Sequence, residues 1–268
     1  MTMLGCVPLL RWAISNDKSD CVASLSVSFA CLIAGVIAFG RPGEPFQFGM
    51  AAYVYATAAA SLLCLLYVLW IENLIARMVL AFVTLAIWCW IMIGMPMEVD
   101  MLVKSAMAGY ILLVIAGVFI FRTRYEVRND DSFAGALVAL AVISSVLWLY
   151  GQEMEDASAT NFALALGVIS LTSLIWTVKK FGFAFQENAV VILSMSVGGL
   201  IWHMWLHGQV PIVALLCLVL VLFTRSAAVK MLVNAPVWLQ KGYYFVLFLL
   251  CLLPALLSLV FFDILRNL

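Results

Sequence analysis

Hydrophobic residues fall into long, nearly uninterrupted runs separated by short polar breaks, without the alternation of half-buried strands. Runs near twenty residues are what an α-helix needs to cross about 30 Å of hydrocarbon, whereas an outer-membrane barrel would show short alternating segments. The pattern predicts an all-α, polytopic transmembrane helical bundle of about nine spans, near 21–39, 47–70, 75–95, 101–121, 133–151, 162–178, 188–207, 210–224 and 242–262. The breaks are Arg41 to Glu44, Pro96 to Asp100, Arg122 to Asp131, Gln152 to Asn161, Lys179 to Glu187, Gly208 with Gln209, and Arg225 to Lys241. None has room for a soluble domain, so residues 1–268 read as a single integral membrane domain.

Composition points the same way. Of 268 residues, 66% are hydrophobic and 10% charged, and the mean hydropathy is +1.15. A soluble domain of that composition would expose much of its apolar surface to water, so lipid is the expected solvent. The formal net charge is zero, which gives no electrostatic footprint for a nucleic-acid partner.

The placement of the charges carries more than their sum. When the breaks are assigned alternately to two sides, one side collects 11 of the 14 basic residues and the other only Arg41, Lys104 and Arg266. Loops on the cytoplasmic side hold the excess of Lys and Arg, so the N-terminus is expected inside and the C-terminus outside, in a plasma or bacterial inner membrane. Tryptophan repeats the pattern: Trp12, Trp70, Trp176 and Trp238 fall at the inner level and Trp88, Trp90, Trp148, Trp202 and Trp205 near the outer one. The apolar stretch before Arg11 is short and precedes the charges, unlike a cleaved signal, so the first span is expected to be an uncleaved signal-anchor.

Two further features bear on packing. Ala52, Ala56 and Ala60 form a small-residue face at i, i+4, i+8, and Ser194 with Gly198 makes another, as close helix packing in lipid requires. Segment 225–241 is too polar for a span and reads equally as an amphipathic interfacial helix stopped before Pro236 or as a loop. No sequence repeat relates the two halves, so an inverted-repeat transporter has no support here.

Chemistry-bearing residues are sparse. Every Asp, Glu, Lys and Arg maps to a loop or near a helix end, which disfavours proton or sodium coupling through a buried carboxylate. The seven cysteines lie singly, with no CxxC, as small packing residues. The only histidines, His203 and His207, share one helix face at i, i+4, as two metal ligands would. A metal needs a third ligand, for which Glu98, Asp100, Glu153, Glu155 and Asp156 are the nearby acidic candidates. The competing reading makes both rings part of an outer aromatic belt with Trp202 and Trp205. Two histidines cannot supply paired bis-histidine haems, no mid-helix lysine is present for retinal, and GxSxG, GxGxxG and Walker motifs are absent. No cofactor is expected. Arg122, Arg124, Arg128, Lys179 and Lys180 gather on the inner side, where they would dock anionic lipid or a partner, although the positive-inside rule alone accounts for them.

Three readings follow. The favoured one is a non-enzymatic membrane subunit, a scaffold or anchor that packs against other membrane proteins or itself. The second is a transporter or pore for a neutral, apolar or lipid-like solute, lined by Tyr110, Ser144, Ser145, Ser170, Thr172 and Ser173. The third is a membrane enzyme with an outward-facing site at His203 and His207.

Overall fold

The computed structural model describes residues 25–40, 49–70, 74–93, 134–176, 187–232, 236 and 242–266. Its elements are all helical, with no strand among the described residues. In chain order they are α1 (Leu25–Phe39), α2 (Tyr53–Trp70) entered through a 3₁₀ turn at Gly49–Ala52, α3 (Leu74–Ile93), α4 (Ala134–Glu153), α5 (Ala157–Trp176) and α6 (Glu187–Leu206). Then come α7 (Ile212–Leu220), a 3₁₀ turn at Val221–Phe223, α8 (Thr224–Leu232) and α9 (Tyr243–Arg266). Among the described residues, four helices are long and apolar enough to cross a membrane: α4, α5, the Ala189–Leu206 stretch of α6, and α9. The span expected near 101–121 lies outside the described residues.

The most apolar of these helices is the least buried. Within the most apolar 18-residue window of α4, 83% of residues are buried, against 28% in α9, a nearly pure run of Leu, Phe, Val and Ile. Helix α4 can be surrounded because its sequence alternates small and branched residues, AGALVALAVISSV, letting neighbours approach. Phe245, Leu249, Leu253, Leu256, Val260 and Ile264 of α9 face outward, as do Leu164, Val168, Leu171 and Ile175 of α5. Such continuous outward apolar stripes are expected where the solvent is lipid. The small face Ala52, Ala56, Ala60 is buried, and a Cβ on Gly35 would come within 2.5 Å of the Tyr53 ring. Glycine at position 35 is therefore what lets α1 lie against α2.

Two tyrosines tie the bundle together through the same three-part arrangement. Tyr53 and Tyr150 are both fully buried. The Tyr53 hydroxyl lies 2.6 Å from Ser196 Oγ, and Ser196 Oγ donates to the Ile192 carbonyl at 2.8 Å. The Tyr150 hydroxyl lies 2.5 Å from Ser258 Oγ, which donates to the Ala214 carbonyl at 2.6 Å. Since each serine proton goes to a carbonyl, each tyrosine must be the donor to its serine. The first relay joins α2 to α6; the second joins α4, α9 and α7. Trp88 joins α3 to α2 by donating from Nε1 to Thr57 Oγ1 at 3.3 Å.

Three departures from the sequence reading have physical causes. Helix α5 begins at Ala157, not near 162, because Asp156 caps it: Oδ1 accepts the Ala159 N–H at 2.9 Å. The span expected at 210–224 would cover only about 22 Å, short of the bilayer core. The helical path instead continues through the 3₁₀ turn, where Leu220, Val221 and Thr224 keep right-handed helical dihedrals, to Leu232. The first half of segment 225–241 is thus helix. Finally, Trp88 and Trp202, read from the sequence as lying near the outer level, are each 3% exposed and pack among the helices, a burial that the sequence reading did not anticipate.

Removing either end of the Tyr150–Ser258 relay should have unequal effects. Ser258→Ala leaves the buried tyrosine hydroxyl without an acceptor, and should cost about 1–3 kcal/mol. Tyr150→Phe leaves Ser258 still bonded to Ala214 and should cost about 1 kcal/mol or less. Unfolding of the detergent-solubilised variants would measure the order, and an inverted order would refute the donor assignment.

Candidate functional site

Most of the charged and imidazole groups whose contacts are described gather at one end of the bundle, where α4 turns into α5 and α6 turns into α7. Both helices end in the same way. After α4, the Asp156 N–H bonds the Gly151 carbonyl at 3.0 Å and the Glu155 N–H bonds the Gln152 carbonyl at 3.2 Å. After α6, the Gln209 N–H bonds the Met204 carbonyl at 3.0 Å and the Gly208 N–H bonds the Trp205 carbonyl at 3.0 Å. These paired bonds are Schellman motifs, which need a left-handed residue just past the helix. Gly208 supplies it at φ 66° without cost, whereas Glu155 adopts φ 56° despite its side chain. Gly151 sets the tightness of the first turn: a Cβ there would lie 2.5 Å from Thr160 Oγ1 and 2.9 Å from the Thr160 backbone nitrogen.

Asp156 joins the two turns. Its Oδ1 caps α5, and its Oδ2 accepts from Gln209 Nε2 at 3.2 Å and faces His203 Nε2 at 3.6 Å. Burial pushes its carboxyl upward, but the Ala159 N–H, the Gln209 amide and the His203 imidazole outweigh that and hold it below the ordinary carboxylate pKa. The side chains of His203 and Asp156 are 15% and 19% exposed, so the pair is largely enclosed yet open to one side.

Around this pair, aromatic rings lead into the core. His203 meets the edge of Phe39 at 6.2 Å between centroids; Phe39 packs on Phe162 at 5.2 Å, and Phe162 on Tyr53 at 4.9 Å. His207 is exposed, with its ring centroid 4.4 Å from that of His203. At the rim, Arg266 Nη1 contacts Glu153 Oε2 at 2.9 Å and lies over the Phe262 ring at 5.9 Å. That ion pair is exposed, and such pairs contribute little.

The sequence candidates divide accordingly. His203 and His207 are adjacent as the i, i+4 spacing requires, and Asp156 is the acidic candidate that reaches His203. The belt reading suits exposed His207 better than His203, whose Nε2 faces a carboxylate. Among the described residues, no three His, Cys, Asp or Glu side chains stand ready around a single metal position. Arg122, Arg124, Arg128, Lys179 and Lys180 lie outside the described residues, as do Glu98, Asp100 and Tyr110. Of the hydroxyls read as a solute lining, Ser145, Ser170, Thr172 and Ser173 bond carbonyls of their own helix. Ser144 is buried and makes no hydrogen bond. The sequence reading missed Gln209 and the capping role of Asp156. An Asp just ahead of a helical run is a start signal, but polar Ser158, Thr160 and Asn161 read as loop.

No family model, curated protein or solved structure matches the chain.

The two Schellman turns should respond oppositely to substitution. Glu155→Gly relieves a left-handed non-glycine residue at an exposed position and should stabilise the protein by about 0.5–1 kcal/mol. Gly208→Ala should destabilise by about 1 kcal/mol for the converse reason. Gly151→Ala, blocked by Thr160 backbone, should cost about 2 kcal/mol or more. Melting temperatures in one detergent would rank the three variants.

Proposed function

We propose that the chain is a non-enzymatic integral membrane subunit, a scaffold or anchor that holds other membrane proteins, or further copies of itself, in the lipid bilayer. In this reading it crosses a plasma or bacterial inner membrane about nine times, with the N-terminus inside and the C-terminus outside. What supports it most is how the interior hydroxyls are used. The two tyrosines close on Ser196 and Ser258, and most other described hydroxyls bond carbonyls of their own helices, so helix packing consumes the polar chemistry. The outward faces of α5 and α9 are apolar along their length and suit lipid or another membrane helix. The basic residues Arg122, Arg124, Arg128, Lys179 and Lys180 would then sit at the inner surface, against anionic headgroups or a cytoplasmic partner.

A second reading, passage of a neutral or lipid-like solute, draws on a different observation. Ser26, Ser28, Ser144 and Ser194 carry buried hydroxyls that make no hydrogen bond within the protein. Such groups would suit the lining of a polar path.

Native mass spectrometry of the protein extracted gently from its own membrane tests the first reading. The expected particle is heavier than one chain with its lipids and has a fixed stoichiometry. A lone chain that carries solute across liposomes would replace the scaffold with the transporter. Topology has its own test: alkaline phosphatase fused at Leu268 should be active and at Lys180 inactive, and the reverse would refute the orientation.

A further inference from the structure

His203 Nε2 and Asp156 Oδ2 stand at ion-pair distance, 3.6 Å, which is too long for a hydrogen bond. Metal bonds of about 2.0–2.2 Å meeting at a tetrahedral angle would put two ligand atoms about 3.4 Å apart, close to that separation. The carboxylate is also already oriented: Oδ1 is fixed by the Ala159 N–H and Oδ2 by the Gln209 amide, the outer support that metal-binding carboxylates characteristically receive.

A second, independent observation points to a missing cationic or donor group. The Gln209 amide nitrogen is bonded to Asp156, but Gln209 Oε1 is buried without a hydrogen-bond partner. A buried acceptor left in this way suits a donor such as an ordered water, including one held by a cation. The third ligand is within the reach of one side chain. His207 lies one helical turn after His203, with its ring exposed and its centroid 4.4 Å from that of His203, so a change of its side-chain rotamer is the movement the site requires.

We propose that this end of the bundle binds one divalent transition-metal ion, zinc by its ligand set, through His203 Nε2, Asp156 Oδ2 and the imidazole of His207. Gln209 Oε1 accepts from the metal's remaining water or completes the shell. Two imidazoles and one carboxylate suit zinc and not calcium or magnesium, which prefer oxygen ligands throughout. His207 is the mobile arm: it swings in on binding, so the three ligands need not converge beforehand. Bound metal would link α4, α5, α6 and α7 at their shared end, where the His203 and Asp156 side chains are partly exposed.

Isothermal titration of the tag-free, full-length protein in detergent with Zn²⁺ tests this, alongside its melting temperature with and without the ion. The expected result is one Zn²⁺ per chain and a metal-dependent rise in melting temperature. His203→Ala and His207→Ala should each weaken binding by about 100-fold or more, beyond the loss of an outer hydrogen-bonding partner. Asp156→Asn should do the same while keeping the α5 cap, since asparagine caps as well as aspartate. His207 is exposed, so His207→Ala keeps the test valid even where the other variants fold poorly. Absence of stoichiometric Zn²⁺, unaltered affinity in His207→Ala, or equally tight binding of Ca²⁺ would each overturn the proposal.

Discussion

Buried polar groups dominate the construction of this bundle, because a chain so apolar has little water along its length to satisfy them. Backbone groups are satisfied by helix formation itself. Side-chain hydroxyls must find partners nearby, and most do so by donating to the carbonyl one turn back, as Ser61, Thr84, Ser145 and Ser170 do. Such a bond leaves the serine oxygen with spare acceptor capacity. Tyr53 exploits this by donating across a helix interface to Ser196, while Tyr150 donates to Ser258, whose proton already crosses to the Ala214 carbonyl of α7. The bonds that tie helices together are thus layered on bonds that satisfy them individually, which sets where α2, α4, α6 and α9 can lie.

The same constraint explains why the most apolar helix is not the most buried. In water, apolarity drives a segment inward. In lipid it carries no such preference, and interfaces select small residues and paired hydroxyls instead. Helix α4, with Gly135, Gly151, Ser144 and four alanines among its residues, has the central position, and leucine-rich α9 lies at the edge. Helix α9 also holds Pro254, which removes one intrahelical hydrogen bond.

How much of this was legible in the sequence follows from the length scale of each signal. A run of twenty apolar residues is a coarse feature, so the existence and order of the described helices could be read from hydropathy. The small face Ala52, Ala56, Ala60 was legible because helical spacing is geometric. Helix ends were less so. Whether Asp156 ends a loop or begins a helix depends on one side-chain oxygen meeting one backbone N–H, a detail that a window average erases. The continuation of α7 into α8 was hidden because Arg225 and Lys230 lower the hydropathy of a segment whose dihedrals remain helical. That Trp88 and Trp202 are enclosed by neighbouring helices was not legible either, because tryptophan's interfacial preference concerns depth and says nothing of which neighbours its ring meets.

Even the candidate site reflects this division of labour. His203 and His207 stood out as a pair, but the sequence offered five acidic residues and no way to choose among them. The choice is made by two helix ends. Each Schellman motif reverses the chain in a fixed geometry, placing Asp156 and Gln209 just beyond α4 and α6, and the contact between those two residues locks one turn to the other. Ionisable groups can gather there because charge is affordable only where water or a partner is close. The interior of the bundle carries neutral hydroxyls, most of which bond a helix carbonyl or a tyrosine. Its end carries a held carboxylate beside an imidazole, and chemistry beyond packing has the means to occur at that end.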